Sequence, residues 1–138
     1  MPCYHAFFED LNIVKITITG SVCPRDFLDL IDALQDDPRY HRTIDEMIWL
    51  TCSSFTGFDA ARLRNMADLV WGVHLRNDTR KRIALVAPAA NARRVATDFA
   101  AGFRQGELIR IQVCDDARAA QIFLGACDWR LALGELQT

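Results

Sequence analysis

The stretch Lys81-Arg-Ile-Ala-Leu-Val-Ala-Pro88 sets the class of this fold. From Ile83 to Ala87 it is apolar without alternation, the pattern of a strand covered on both faces, and Pro88 ends it. Met47 to Leu50 reads the same way. Between the two runs, Leu63, Met66, Ala67, Val70, Trp71 and His74 recur at helical spacing, which predicts a helix from about Phe58 to His74. Two interior strands joined through a helix form a parallel crossover unit.

The same punctuation continues outward. Downstream, Ala92, Val95, Ala96, Phe99 and Phe103 form a helical stripe that Asn91 can cap. Ile109, Ile111 and Val113 then alternate with Arg110, Gln112 and Cys114 as a strand. Asp115 or Asp116 can cap a last helix through Leu124, and Gly125 stops it. Upstream, Pro24 opens a helix bearing Phe27, Leu28, Leu30, Ile31 and Leu34. Before it, Val14, Ile16 and Ile18 alternate with Lys15, Thr17 and Thr19, and Gly20 ends that strand. Tyr4 to Phe8 pairs with it as a hairpin.

The expected order is β-β-α-β-α-β-α-β-α: one α/β domain over residues 1–138, with a core of about 4–125 and an amphipathic tail from 126. Right-handed crossovers with each strand added beside its predecessor give a two-layer form. Its five-stranded sheet is mixed and mostly parallel, with helices mainly on one face. The two interior strands are apolar on both sides, so something must cover the other face at its centre. The candidates are the tail with Trp129 and Leu133, or a second copy of the chain in a homodimer.

The 138 residues are 51% apolar and 25% charged, which suits a folded domain with its own core. No apolar run is long enough to span a bilayer, and no basic stretch followed by an apolar block opens the chain, so a cytoplasmic protein is expected. Fourteen Arg and two Lys stand against 18 acidic residues, without the broad positive footprint of a nucleic-acid binder. Arg76, Arg80, Lys81 and Arg82, and separately Arg93 and Arg94, read as solvated charge at helix ends.

Chemical motifs are sparse. Cys3, Cys23, Cys52, Cys114 and Cys127 are odd in number and form no C-x-x-C pair, so neither a disulfide framework nor a metal site is indicated. Glycine-rich phosphate loops and the G-x-S-x-G elbow do not occur, and no cofactor is expected. His74, on its helix stripe, reads as a helix-end or core-edge residue; His5 and His41 lie in other elements. Cys23 at a helix start and Cys52 past a buried strand are the two thiols whose setting would permit reactivity. No acid–base pair stands out, and an enzyme is not expected.

Thr51-Cys-Ser-Ser-Phe-Thr-Gly-Phe-Asp59 reads as a loop between a central strand and a helix, a favoured place for ligands in open α/β sheets. Its hydroxyls at a helix start suit phosphorylation or anion binding. The plain alternative is a capping box of Thr56 with Asp59.

Four segments carry a family resemblance: Ile13-Val-Lys-Ile-Thr-Ile-Thr-Gly20, Asp45-Glu-Met-Ile-Trp-Leu50, Lys81-Arg-Ile-Ala-Leu-Val-Ala-Pro88 and Ile109-Arg-Ile-Gln-Val-Cys-Asp-Asp116. With the helices between them, over about residues 4–125, the chain resembles the SpoIIAA-like, or STAS-like, family of small bacterial domains. That family is similar to anti-sigma-factor antagonists and to the CRAL-TRIO lipid-binding fold. The resemblance implies a non-enzymatic regulatory domain with a protein partner, switched by phosphorylation in the loop after a central strand. Here that loop is Ser53-Ser-Phe-Thr-Gly57, without the family's Asp-Ser pair. Thr56 is the nearest counterpart by position, followed by Ser53 and Ser54, with Gly57 and Phe58 completing the surface. The alternative is a carrier of a small apolar molecule or lipid between helices and sheet, lined by Phe55, Phe58, Trp71, Phe99 and Phe103.

Overall fold

The computed structural model describes residues 3–104 and 108–136, without the side chains of 53 and 133–136. Five strands lie in chain order: β1 (Cys3–Phe8), β2 (Ile13–Val22), β3 (Asp45–Phe55), β4 (Lys81–Val86) and β5 (Ile109–Cys114). β1 is antiparallel to β2, and every later pair is parallel. The helices are α1 (Pro24–Gln35), α2 (Ala60–Arg76), α3 (Ala90–Ala101) and α4 (Ala117–Leu124). Short 3-10 segments follow β1 (Glu9–Leu11) and α4 (Trp129–Leu136).

α1, α2 and α3 pack on one face. Ile16, Ile18, Ile48, Leu50, Ile83 and Leu85 from the sheet meet Leu30, Leu34, Leu63, Met66, Val95 and Phe99 from these helices. Strand residues of the other parity (Ile13, Met47, Trp49, Ala84 and Val86) form a second core beneath Ala117, Ala120, Leu124 and Leu131. Three helices thus share a face as expected, but the two-layer form is corrected: α4 and the tail add a partial third layer. No second copy of the chain is needed at the centre of that face. Arg130 fastens the tail to the 3-10 turn after β1, reaching Asp10 Oδ2 at 2.7 Å and Asp128 Oδ2 at 2.9 Å.

On β2 the residues that alternate with Val14, Ile16 and Ile18 are buried too. Lys15 and Thr17 are buried, and the Lys15 ammonium lies 5.1 Å from the centre of the Trp49 ring.

β2 does not stop at Gly20. That residue takes φ +66°, a conformation open to glycine without penalty, and the register slips there. Gly20 pairs with Cys52 and Ser21 with Ser54, so the ladder skips Ser53 and runs on to Val22 and Phe55.

Two predicted caps are displaced. Asp59 itself caps α2, accepting from the Arg62 N–H at 2.8 Å, in place of a Thr56 box. Ala89 precedes α3, with Asn91 already inside the helix. Asp116 and Gly125 cap α4 as expected.

Candidate functional site

The bulge at Gly20 decides where the predicted phosphorylation residues fall. Ser53 and Ser54 belong to the end of β3 rather than to a loop, and the Ser53 side chain lies outside the described atoms. Only Thr56 and Gly57 form a turn; Thr56 is exposed, and Gly57 has φ +82° with the Arg62 guanidinium beside it. Phe58 points inward and is buried, edge-on to Phe55 with ring centres 5.8 Å apart.

The predicted aromatic lining divides between two places. Phe55, Phe58 and Phe99 border a gap of about 30 Å³, no more than one water's share of liquid volume. Phe99 and Phe103 also line a much larger cavity of about 320 Å³. Trp71 packs edge-on against Phe103 from outside it, with ring centres 6.2 Å apart, and is not among its lining residues. The Trp71 indole N–H is buried without a hydrogen-bond acceptor among the described residues.

The larger cavity lies between α1, α2 and the sheet, near the amino ends of β3 and β4. Its walls are apolar: Ile16, Leu30, Leu34, Ile48, Val70 and Ile83 stand among them. Its polar side contains Glu46, Lys81, Tyr40, His74 and Thr79, and His41, Arg42, Gln35 and Asn77 complete the lining.

Strand register assembles the polar group. Glu46 pairs with Ile83 across β3 and β4, so Glu46, Ile48, Lys81 and Ile83 all face the helices. Glu46 and Lys81 are only 4% and 6% exposed, and Lys81 Nζ donates to Glu46 Oε2 at 2.8 Å. The Tyr40 hydroxyl, delivered by the loop after α1, donates to the same oxygen at 2.8 Å. The ammonium also stands 4.1 Å from the centre of the Tyr40 ring. His74 Nδ1 lies 3.3 Å from Thr79 Oγ1, which ties the C-terminal turn of α2 to the segment that leads into β4.

The electrostatics are those of a buried pair. Burial opposes ionisation of Glu46 most strongly; Lys81, with the hydrogen bonds from Lys81 and Tyr40, more than offsets it and holds the carboxyl below its ordinary pKa. Burial pushes His74 down to about 4, so the imidazole is neutral near pH 7 and Lys81 is the cation that matters to Glu46. Burial, and then the Glu46 charge, raise the Tyr40 phenol well above its ordinary value. The cluster therefore carries one negative and one positive charge.

Sequence reasoning missed this cluster. Beside Arg76, Arg80 and Arg82, Lys81 has the sequence signature of solvated charge, yet only those three neighbours reach solvent. The available signal was parity: Glu46 with Ile48 and Leu50, and Lys81 with Ile83 and Leu85, place opposite charges on the inward face of successive strands. His74 does sit at the core edge expected of it.

The thiols behave differently from the cavity. Burial raises Cys52 to about 11, so its thiolate is scarce at neutral pH. Cys23 is half-buried, and Asp26 accepts from its backbone N–H at 3.0 Å. Among the described residues no group of His, Cys, Asp and Glu is arranged to hold a metal ion, and no helix is long and apolar enough to cross a membrane. Compared with models of known families and with curated proteins, the chain matches none.

Proposed function

We propose that this chain is a non-catalytic, STAS-like regulatory domain that binds a small, mostly apolar molecule between its helices and its sheet. The observation that carries this reading is the cavity of about 320 Å³, apolar on most sides and bordered on one by the buried Glu46–Lys81 pair. Ligand sites are typically pre-formed and apolar with a few convergent polar groups, and buried ionisable clusters in a cleft mark such sites. The continuous strand order and the three crossover helices on one face support the STAS-like assignment. A ligand touching α1 and α2 together would couple occupancy to the surface those helices present to a protein partner. The test is a fragment screen followed by amide NMR. Binders should shift resonances of Ile48, Ile83 and Phe103 together; a screen in which no compound moves them would refute the reading.

A second reading retains the phosphorylation switch, now centred on Thr56. Its support is an exposed hydroxyl in the turn that leads into α2. A phosphate there would stand close to the Asp59 cap and the Arg62 guanidinium and would alter the surface at the helix start. Labelling by a cognate kinase should disappear in the Ser53→Ala, Ser54→Ala, Thr56→Ala triple variant, and unchanged labelling would end this reading.

A further inference from the structure

The charge balance and size of the cavity narrow the chemistry of its ligand, an inference that rests on the cavity being a binding site. We infer that it takes an uncharged molecule of roughly a dozen non-hydrogen atoms, with a ring-sized apolar body and one hydroxyl or carbonyl end directed at Glu46 and Lys81.

Size gives the first limit. An apolar cavity of about 150 Å³ accommodates benzene, so about 320 Å³ holds roughly twice that, and the rest of a long-chain lipid would have to lie against the exposed polar residues Gln35, His41, Arg42 and Asn77. Charge gives the second. Glu46 and Lys81 cancel across 2.8 Å, and His74 is neutral near pH 7. Of the other basic residues in the lining, Arg42 is paired with Asp78 at 3.1 Å in an exposed bridge, and His41 is exposed, so both stand at the solvent side of the cavity. A ligand carboxylate or ammonium would give up its hydration and find its counter-charge already engaged, which disfavours a buried ion. Hydrogen-bonding capacity gives the third. The polar side offers a carboxylate, an ammonium, a phenol and the Thr79 hydroxyl, so acceptors and donors stand together. A hydroxyl can serve both and a carbonyl can take the donors, while the rest of the molecule lies against Leu34, Ile48, Ile83 and Phe103.

A charge series of one shape tests this. Wild-type protein is titrated with 2-phenylethanol, phenylacetate, phenethylamine and palmitate, following the Ile48 and Ile83 amides by NMR. The titration is repeated with Val70→Phe, which intrudes on the cavity from α2. 2-Phenylethanol should bind at least about tenfold more tightly than either ion, palmitate should leave these amides unmoved, and Val70→Phe should weaken the alcohol. An ion that binds the cavity as tightly as the alcohol overturns the charge inference, and palmitate seated there overturns the size inference; in both cases the site stands. If none of the four moves these amides, or a folded Val70→Phe protein binds the alcohol unchanged, the binding-site reading itself fails. Should Val70→Phe not fold, the wild-type series still decides the charge and size.

Discussion

Glu46 and Lys81 can be buried only because each neutralises the other and Tyr40 adds a hydrogen bond. Removing one partner leaves an uncompensated charge at a buried position. Lys81→Met should therefore lower the unfolding free energy by about 3–5 kcal/mol, while Glu46→Met with Lys81→Met should recover most of the loss. Urea denaturation of the two single variants and the double variant measures this. His74 supplies a pH dependence. Its pKa falls from 6.5 to about 4 on folding, chiefly through burial, with Glu46 and Lys81 as its charged neighbours. The unfolded chain then binds a proton that the folded chain refuses. The contribution of His74 is complete above about pH 6.5 and is lost as pH falls toward about 4, with a full value on the order of 3 kcal/mol. Unfolding free energies measured across that window should fall less steeply for His74→Gln than for the wild type; equal slopes would show that His74 is not the responsible group. These side chains were poorly legible in the sequence. A charge beside an apolar run looks like the end of a strand, and only pairing with the next strand shows that it points inward.

At the scale of elements, local pattern read well and boundaries less so. The stripes of α1, α2 and α3 followed from periodicity, because apolar spacing reflects which face is buried, whereas β2 is buried on both sides despite its alternation. The continuation of β2 and β3 beyond Gly20 did not, because the bulge depends on a backbone conformation shared between two strands. The α2–α3 contact is another nonlocal feature. A Cβ at Gly102 would collide with the Ala67 methyl, with the Arg64 and Phe99 carbonyls 3.5 and 3.4 Å away. The backbone there is ordinary αR, so the constraint is space rather than φ. Gly102→Ala should cost about 1–3 kcal/mol by forcing the helices apart, read as a lowered denaturation midpoint. Asp59→Ala removes the observed cap of α2 and should cost about 1 kcal/mol, whereas Thr56→Ala should change stability little.

At the scale of the whole molecule, the second face is the feature that the sequence posed as a question. Met47, Trp49, Ala84 and Val86 demanded cover, and α4 with Leu131 of the tail supplies it. Leu131 is fully buried, so Leu131→Ala should cost about 2–5 kcal/mol. Ending the chain at Gly125 should uncover Trp49 and its neighbours and drive self-association, measurable by sedimentation. A truncated chain that stays monomeric and as stable as the full one would contradict the role given to the tail.

The element order, the mostly parallel sheet and the need to cover both faces of its centre are legible along the chain. Those follow from periodicity and apolar runs, which record burial along a single chain. Tertiary structure decided what covers the second face, which charges turn inward and where the cavity lies. Each of these depends on residues distant in sequence: Glu46 meets Lys81 through strand register, Tyr40 arrives on a loop, and His74 comes from the end of α2. The large cavity lies near the amino ends of β3 and β4, away from the Thr56–Gly57 turn at the carboxyl end of β3, because space between helices and sheet is set by packing across the layers.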